Sequence, residues 1–279
     1  MTDAFPGVSG ERPAASAART ADTDLAGRGA PVIVLTYAHA GVELLTQVLS
    51  ASPSLACTSA TGLLPLCHEA ISTWQQADGR DGPPSPLATQ SVRALAATMI
   101  TVFLARRGAP RWCETAFASP AAAHTFLQLF PAARFLCLHR SLRGILGEAV
   151  RAYPWGLGDS PFWAFSAAQP GNNVATIAAY WVTRTQALLD FEAEHPKSCL
   201  RVRYEDLAAD CGRQMIEIFA ALRLDARELR VLRQPGQSRT AGDADADFGL
   251  PTPAARIPPE LLARVRDLHS RLAYDSWAE

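Results

Sequence analysis

A histidine and a glutamate lie four residues apart in VIVLTYAHAGVELL, residues 32–45. His39 and Glu43 are residue types that carry proton transfer, so the pair could act as acid and base. The segment changes from a β-branched run to a helical pattern. The backbone N–H groups of Gly41–Leu44 would therefore stand at a helix start, which favours a bound anion. Glu43 brings a negative charge to the same place, and it could equally be a first-turn acid that stabilises its own helix.

Arg140, in FLCLHRSLRG, is a second candidate for chemistry. It stands where a predicted strand ends and a helix begins, so its guanidinium could reach a phosphate near the first loop. The alternatives are a surface arginine or one paired with a local carboxylate. A third segment, LRVRYEDLAAD, closes another strand with Tyr204 and two acids, Glu205 and Asp206. Acids in the first turn of a helix are favoured by its dipole, and that is the simplest role for this pair.

The elements that must position these residues alternate between strand and helix. Continuous apolar or β-branched runs predict strands at 31–37, 111–116, 133–139 and 198–204. Helical spacing and capping residues predict helices at 41–52, 62–74, 87–108, 119–131, 141–153, 171–195, 205–224 and 258–274. This alternation predicts an α/β domain with three layers, in which helices cover both faces of a parallel sheet. Ligands of such sheets bind at the carboxyl ends of the strands, where His39, Arg140 and Tyr204 all fall.

The chain is predicted to form one domain after a disordered tail. Residues 1–29 are rich in Ala, Gly, Pro, Ser, Thr and Asp and show no periodicity. Residues 30–279 are predicted to form a single α/β domain. Helices from 61 to 108 and the irregular segment 153–170 are expected on one side as a lid. The aromatic stretch AYPWGLGDSPFWAF in that segment either lines a site for an aromatic or lipophilic molecule or packs as an ordinary loop.

Composition excludes several classes of function. The formal net charge of -1 among 279 residues argues against a nucleic-acid or anionic-membrane surface. No apolar run approaches the roughly 18 residues of a membrane span, and no secretory signal is evident. The six cysteines are scattered without a C-x-x-C pair, so neither a metal site nor a disulfide framework is expected. A cytoplasmic protein with reduced thiols is the prediction. Lys197 is the only lysine, so no mechanism can rest on another.

Three segments together resemble the sulfotransferase family, which uses 3'-phosphoadenosine 5'-phosphosulfate as its sulfo donor. RVRYEDLAADCGRQMIEIFAALRL is the most specific match. FPAARFLCLHRSLRGIL resembles the family's strand and 3'-phosphate-binding arginine, and IPPELLARVRDLHSRLAY resembles a common family ending. The resemblance covers roughly residues 31–275. It implies a P-loop-like fold with a parallel sheet of four or five strands and no metal. The donor site it implies consists of Ala40, Gly41, Val42, Leu44, Arg140 and Glu148.

The phosphosulfate loop departs from the family pattern. The family usually has Pro-Arg-Ser-Gly-Thr-Thr before two leucines, and the same place here reads AHAGVELL. His39 stands at the basic residue and Ala40 at the serine. Val42 and Glu43 stand at the two threonines. The hydroxyls that would bind phosphate are absent. A carboxylate beside a dianion in a partly buried site costs on the order of several kcal/mol, unless Glu43 turns away.

Other family positions are also changed. The serine usually found eight residues after the arginine is Glu148 here, and the lysine that often follows the glutamate of WCETAF is Thr115. The family's general base usually stands just after the first helix. No acid occupies that place here, and His68 lies further along as a candidate that could equally be a structural histidine. The base would then be Glu43 or His68, with His39 assisting the leaving oxygen.

Three hypotheses for function follow. The first is transfer of a sulfo group from the nucleotide donor to a hydroxyl or amine of a small molecule, in bacterial specialised metabolism. The second is a repurposed enzyme on the same scaffold that uses a different ligand, with His39 and Glu43 as an acid–base pair. The third is a non-catalytic binding protein whose ancestral site has decayed.

Overall fold

The computed structural model describes residues 29–77, 83–117, 119–225, 227–228 and 253–274. The predicted tail at 1–29 therefore lies outside the described residues, apart from Gly29. The same holds for the polar loop expected at 234–250 and for residues 78–82 of the loop expected at 77–86.

Five parallel strands form one sheet in the described part of the chain. They are β1 (Val32–Leu35), β2 (Leu55–Ser59), β3 (Arg111–Ala116), β4 (Arg134–His139) and β5 (Cys199–Arg203), in the spatial order β2-β3-β1-β4-β5. β1 and β4 are side by side, with Leu35 opposite Cys137, and β5 pairs with β4 so that His139 lies opposite Arg203. This order brings the ends of β1, β4 and β5 together. The predicted α/β class and the parallel sheet are both confirmed.

Helices flank the sheet, and most begin and end where the sequence predicts. They are α1 (Val42–Ser50), α2 (Leu63–Ala77), α3 (Pro86–Arg107), α4 (Pro120–Leu129), α5 (Leu142–Ala152), α6 (Asn173–Glu194), α7 (Tyr204–Ala209), α8 (Cys211–Leu222) and α9 (Pro259–Arg271), with short 3-10 helices at Trp163–Ala168 and Pro253–Arg256. Ser119 caps α4 by accepting a hydrogen bond from the Ala122 N–H, and Pro120 follows at the first helical position. Gly108 ends α3 in the left-handed conformation, as predicted.

Two elements differ from the predictions. β2 was not predicted, because its sequence LACTS is short, contains mostly small and partly polar residues, and gives no continuous apolar run. Its pairing with β3 supplies the stability that its own sequence lacks. The helix predicted at 205–224 is two helices. Asp210 separates them, since its side chain accepts from the Arg213 N–H at 3.0 Å and starts α8 anew.

The core is formed by the strands and the inner faces of the helices. β1 is fully buried, and the helical spacing predicted for α6 is confirmed, since Ile177, Trp181 and Leu188 all lie in the core. Among the described residues, α3 is long and apolar enough to cross a membrane, which was not predicted from the sequence. Core helices of soluble proteins can be equally long and apolar, so this is weak support for a membrane contact.

A hydrogen-bonded triad centred on a buried glutamate joins α6 to the sheet. The Glu192 carboxylate contacts His139 Nε2 at 2.7 Å through one oxygen and the Arg201 guanidinium at 2.7 Å through the other. His139 has no exposed side-chain surface, and Glu192 is only 9% exposed. Two neighbouring strands are thereby fixed to one helix.

Replacing Glu192 with glutamine is expected to lower the free energy of unfolding by about 1–3 kcal/mol, because one accepting oxygen becomes an NH2 group and the negative charge that faces Arg201 is lost. Urea unfolding of both proteins measures the change. Asp190→Asn, an exposed carboxylate change on the same helix, is the control and should be nearly neutral. Equal stability of the two variants would contradict a role for the triad.

Candidate functional site

The loop after β1 is held in a left-handed turn that leads into α1. The backbone N–H of Ala40 donates to the carbonyl of Tyr37 at 3.2 Å, and His39 and Gly41 both have positive φ, 63° and 81°. Gly41 stands at the N-cap of α1 without a capping side chain. The first N–H groups of α1 therefore lack a capping partner from the protein and could serve an anion.

Tyr204 lies directly against Gly41. A Cβ atom at Gly41 would be 2.2 Å from Cδ2 of the Tyr204 ring, so only glycine fits here. Tyr204 is the first residue of α7, immediately after β5. The sequence predicted that Tyr204 would stand at the same edge of the sheet as the loop, but gave no sign that its ring would cover the loop glycine.

Arg140 is buried behind this loop, with 3% exposure. Its Nη1 donates to the His39 carbonyl at 2.9 Å, and its Cζ lies 4.2 Å from the centroid of the Tyr204 ring. Gly144 makes room for the side chain, because a Cβ there would be 2.6 Å from Arg140 Nε. That Nε is buried and has no hydrogen-bond partner. Arg140 is thus fixed between the loop and the start of α5 with part of its hydrogen-bonding capacity unused.

Glu148 faces the same guanidinium. One of its carboxylate oxygens is 3.8 Å from Arg140 Nη1 and 2.8 Å from Arg151 Nη2. The side chain is 35% exposed, so water reaches it. An anion arriving at Arg140 would meet this carboxylate as a competitor.

An aromatic frame holds Arg140 and the loop in place. The Tyr37 hydroxyl accepts from the Arg140 N–H at 3.1 Å and lies 3.2 Å from the Arg140 carbonyl, which it can donate to. Trp181 Nε1 donates to the same carbonyl at 2.8 Å. Tyr180 accepts from the Ala38 N–H at 2.9 Å. Burial raises the pKa of Tyr37, so its phenol stays protonated. Sequence reasoning missed this frame, since these residues read as ordinary strand and helix core positions.

Glu205 fixes the start of α5. Its Oε1 accepts from the Ser141 N–H at 2.8 Å, while the Ser141 hydroxyl caps the helix through the Gly144 N–H. Glu205 was predicted only to stabilise its own helix. The structure adds a second role, because the same carboxylate orders the turn that carries Arg140.

His39 lies among aromatic side chains. Its ring stacks on Phe162, with centroids 5.5 Å apart, and meets Tyr153 edge-on at 5.6 Å. Burial lowers the pKa of His39 against the opposing charges of Glu148 and Glu43, and the charge of Arg140 adds to the lowering. Glu43 is exposed, and no hydrogen bond or ion pair joins it to His39. The proposed acid–base pair is therefore not assembled by direct contact.

We expect the pKa of His39, measured by NMR titration and assigned with His39→Gln, to lie below 6.5. The neutral form is favoured in the folded protein, so this group should cost stability as pH falls below 6.5 and contribute no penalty above it. A measured pKa above 6.5 would show that the negative charges of Glu148 and Glu43 affect the pKa of His39 more strongly than burial does.

Comparison with known proteins decides the family. A family model described as the sulfotransferase family matches residues 31–228, most of the chain. The chain belongs to the sulfotransferase family. No curated protein matches by sequence.

Solved structures show the same fold for this sulfotransferase. The sulfotransferase domain from the curacin biosynthetic pathway has a TM-score of 0.58 at 17% identity, covering 89% of this chain and 99% of that one. The sulfotransferase domain of the Synechococcus PCC 7002 olefin synthase has a TM-score of 0.52 at 19% identity, covering 88% and 96%. Both confirm the predicted fold.

Three further residues of the sulfotransferase make side-chain contacts between separate elements. Thr115, where the family often has lysine, is 2.9 Å from the hydroxyl of Thr46 on α1. His68 Nδ1 is 2.9 Å from Thr125 Oγ1 on α4, so this histidine joins two helices. Glu114, which was not predicted, is 1% exposed and accepts from the N–H and the hydroxyl of Thr61, at 2.8 and 2.7 Å. It thereby orders the loop after β2.

Proposed function

We propose that this sulfotransferase transfers a sulfo group from 3'-phosphoadenosine 5'-phosphosulfate to a hydroxyl or amine of a small molecule. The observation that carries the proposal is Arg140, a buried cation held at the carboxyl edge of the sheet with its Nε unpartnered. The protein satisfies this guanidinium only in part, through the His39 carbonyl and the more distant Glu148 carboxylate, and a nucleotide phosphate is the further anionic partner that the family would supply. Arg140 would bind the 3'-phosphate.

The 5'-phosphosulfate would lie at the start of α1. The N–H groups of Gly41, Val42 and Leu44 would donate to it, and the helix dipole would add to the attraction. Ala40 contributes backbone only. Backbone donors do not depend on side-chain identity, so the loss of the family's hydroxyls weakens this site without removing it.

The chemistry requires three changes at once. The acceptor oxygen or nitrogen attacks sulfur, the bond from sulfur to the 5'-phosphate oxygen breaks, and the acceptor proton passes to a base. A neutral His39 can donate its N–H to the departing oxygen. Glu43 is exposed beside the loop and is the proposed base, with His68 as the second choice because its Nδ1 already contacts Thr125.

The acceptor is proposed to be aromatic or lipophilic. Trp155 is 99% exposed and Trp163 is 60% exposed in the segment whose Phe162 and Tyr153 pack on His39. Exposed tryptophans next to a site can bind apolar rings. Both structural relatives are named for biosynthetic systems, and this supports a place in specialised metabolism. Scattered cysteines without a disulfide pattern support a reducing compartment, which we propose is the cytoplasm.

A repurposed active site is the second candidate. Tyr204 covers Gly41 and Glu148 faces Arg140, so two elements of the donor site are already occupied by protein groups. In that case another ligand would use His39 and Glu43. Loss of an activity in both His39→Gln and Glu43→Gln, in a protein that does not bind the nucleotide, would favour this candidate.

The activity test uses the purified protein, the sulfo donor and a panel of phenols, alkyl alcohols and amines. Mass spectrometry should find a sulfated acceptor formed in equal amount with 3',5'-bisphosphoadenosine. Glu43→Gln should slow the reaction strongly if Glu43 is the base, by about 100-fold or more. Exposed Glu217→Gln on α8 is the matched control. Absence of a sulfated product across the panel, together with absence of donor binding, would overturn the proposal.

A further inference from the structure

A cluster of two histidines and a glutamate lies on the edge of the sheet opposite to the sulfotransferase site. Glu194 is the last residue of α6, and His195 follows it just before β5. His124 projects from α4. β5 runs from this cluster towards Tyr204, so its length separates the cluster from the Arg140 loop.

Possible metal-ligand atoms of the three side chains lie close to one another. His124 Nδ1 is 3.0 Å from His195 Nε2, and Glu194 Oε2 is 3.8 Å from the same His195 nitrogen. All three candidate atoms lie within 4.8 Å of one another. Two imidazoles and a carboxylate are the donor set found in many three-ligand zinc sites. We propose that this cluster binds a divalent transition-metal ion of the zinc class.

The spacing fits such an ion. Zinc–nitrogen bonds of about 2.0–2.1 Å in a tetrahedral site separate two nitrogen ligands by about 3.3 Å. The two imidazole nitrogens need to part by only a few tenths of an ångström. Glu194 is 66% exposed, so its carboxylate can turn inwards without disturbing the core. A fourth position remains for water.

His195 is fixed by its surroundings. Its backbone N–H donates to the Phe191 carbonyl at 3.0 Å, and its own carbonyl accepts from the N–H groups of Ser198 and Cys199. The Phe191 ring meets the imidazole edge-on at 4.8 Å. The cluster also stands at the carbonyl end of a long helix, where the helix dipole favours a cation. The site is therefore largely formed before a metal arrives.

Gln128 supplies an outer partner for His124. Its amide nitrogen is 2.9 Å from His124 Nε2, on the far side of the ring from the cluster. A half-turn of the amide places its oxygen there to accept an Nε2–H, which leaves Nδ1 free of a proton and able to bind metal. Histidine ligands usually have such a partner on the second nitrogen.

Calorimetric titration of untagged, chelator-treated protein with zinc tests the proposal. We expect about one equivalent to bind in the wild type. His124→Ala and His195→Ala should each weaken binding by at least about tenfold, and Gln128→Leu should have a smaller effect of the same sign. Asp190→Asn, an exposed carboxylate one turn earlier on α6, is the matched control and should leave affinity unchanged.

Two further measurements keep the outcome decisive. His124→Gln removes the ligand without emptying its place, so loss of binding with an unchanged melting temperature assigns the effect to ligation. The cobalt(II) form should lack the charge-transfer absorption of thiolate ligands, because its proposed ligands are nitrogen and oxygen atoms. This check is needed because the chain also has six cysteines. Absence of zinc binding in the wild type, zinc affinity in both histidine variants equal to that of the wild type, or a thiolate spectrum would each overturn the proposal.

Discussion

Arg140→Ala is expected to weaken binding of 3',5'-bisphosphoadenosine, the desulfated donor, by about 100-fold or more. A buried guanidinium that contacts a phosphate makes charge-assisted hydrogen bonds, and loss of two such bonds corresponds to at least about 2.7 kcal/mol. Arg140 is buried and its Nε has no hydrogen-bond partner, so part of its hydrogen-bonding capacity is available to a ligand. Calorimetric titration of the nucleotide measures the change.

Arg134→Ala is the matched control for Arg140→Ala. Arg134 is the first residue of β4, and Arg140 directly follows the last, so both variants remove one positive charge next to the same strand. Arg134 donates to the Lys197 carbonyl at the opposite edge. Arg140→Lys is a second variant that is less disruptive to folding than alanine, because it keeps the positive charge. It lacks the planar guanidinium that lies over Tyr204. Equal nucleotide affinity in Arg140→Ala and Arg134→Ala would contradict the assigned role.

Glu148→Ser is expected to have the opposite effect and to strengthen nucleotide binding by about tenfold or more. The Glu148 carboxylate is 3.8 Å from Arg140 Nη1, where it would repel a phosphate that seeks the same cation. Like charges brought together at a binding site cost several kcal/mol, reduced here because Glu148 is 35% exposed. Serine is the residue that the family usually has at this position, and its hydroxyl can donate to phosphate.

Glu148→Gln separates charge from hydrogen bonding. If repulsion dominates, the glutamine variant should gain most of the affinity that serine gains. The gain should shrink at high salt, since screening already weakens the repulsion in the wild type. Glu217→Gln, an exposed change on α8, controls for net charge. Weaker binding in both Glu148 variants would show that Glu148 positions Arg140 for the nucleotide instead of competing with it.

The fold was largely predictable because local signals and tertiary structure agree. β1 and β4 are continuous apolar runs in buried parallel strands, and Ser119, Pro120 and Gly108 mark helix ends through backbone chemistry. β2 was not predictable in this way. Its polar residues are stabilised by partners distant in sequence, such as the Trp112 indole that donates to Thr58 at 2.9 Å.

The candidate site was predictable only in part. Strand ends and the family motif located Gly41 and Arg140, but the groups that hold them are far away in sequence. The Tyr37 hydroxyl and Trp181 meet the Arg140 backbone from separate elements, and nothing in their local patterns distinguishes them from other core aromatics. The histidine cluster shows the same limit. His124 and His195 are 71 residues apart, without the short spacing that identifies metal motifs in a sequence.

The loop AHAGVELL is the point at which sequence and structure give opposing indications. Its uncapped helix start and the nearby Arg140 favour an anion. Glu43, Glu148 and the ring of Tyr204 oppose one. Either Tyr204 moves aside when the nucleotide enters, or the loop has lost its ancestral ligand. The central claim is that the donor still binds.

Thermal unfolding with and without 3',5'-bisphosphoadenosine tests that claim most directly. Ligand at 100 times its dissociation constant stabilises a protein by about 2.7 kcal/mol. For a chain of this size that corresponds to a rise of at least about 5 °C in melting temperature, at roughly 2–4 °C per kcal/mol. This rise is expected in the wild type and in Arg134→Ala, and it should be lost in Arg140→Ala. An unchanged melting temperature at millimolar nucleotide in the wild type would contradict that claim.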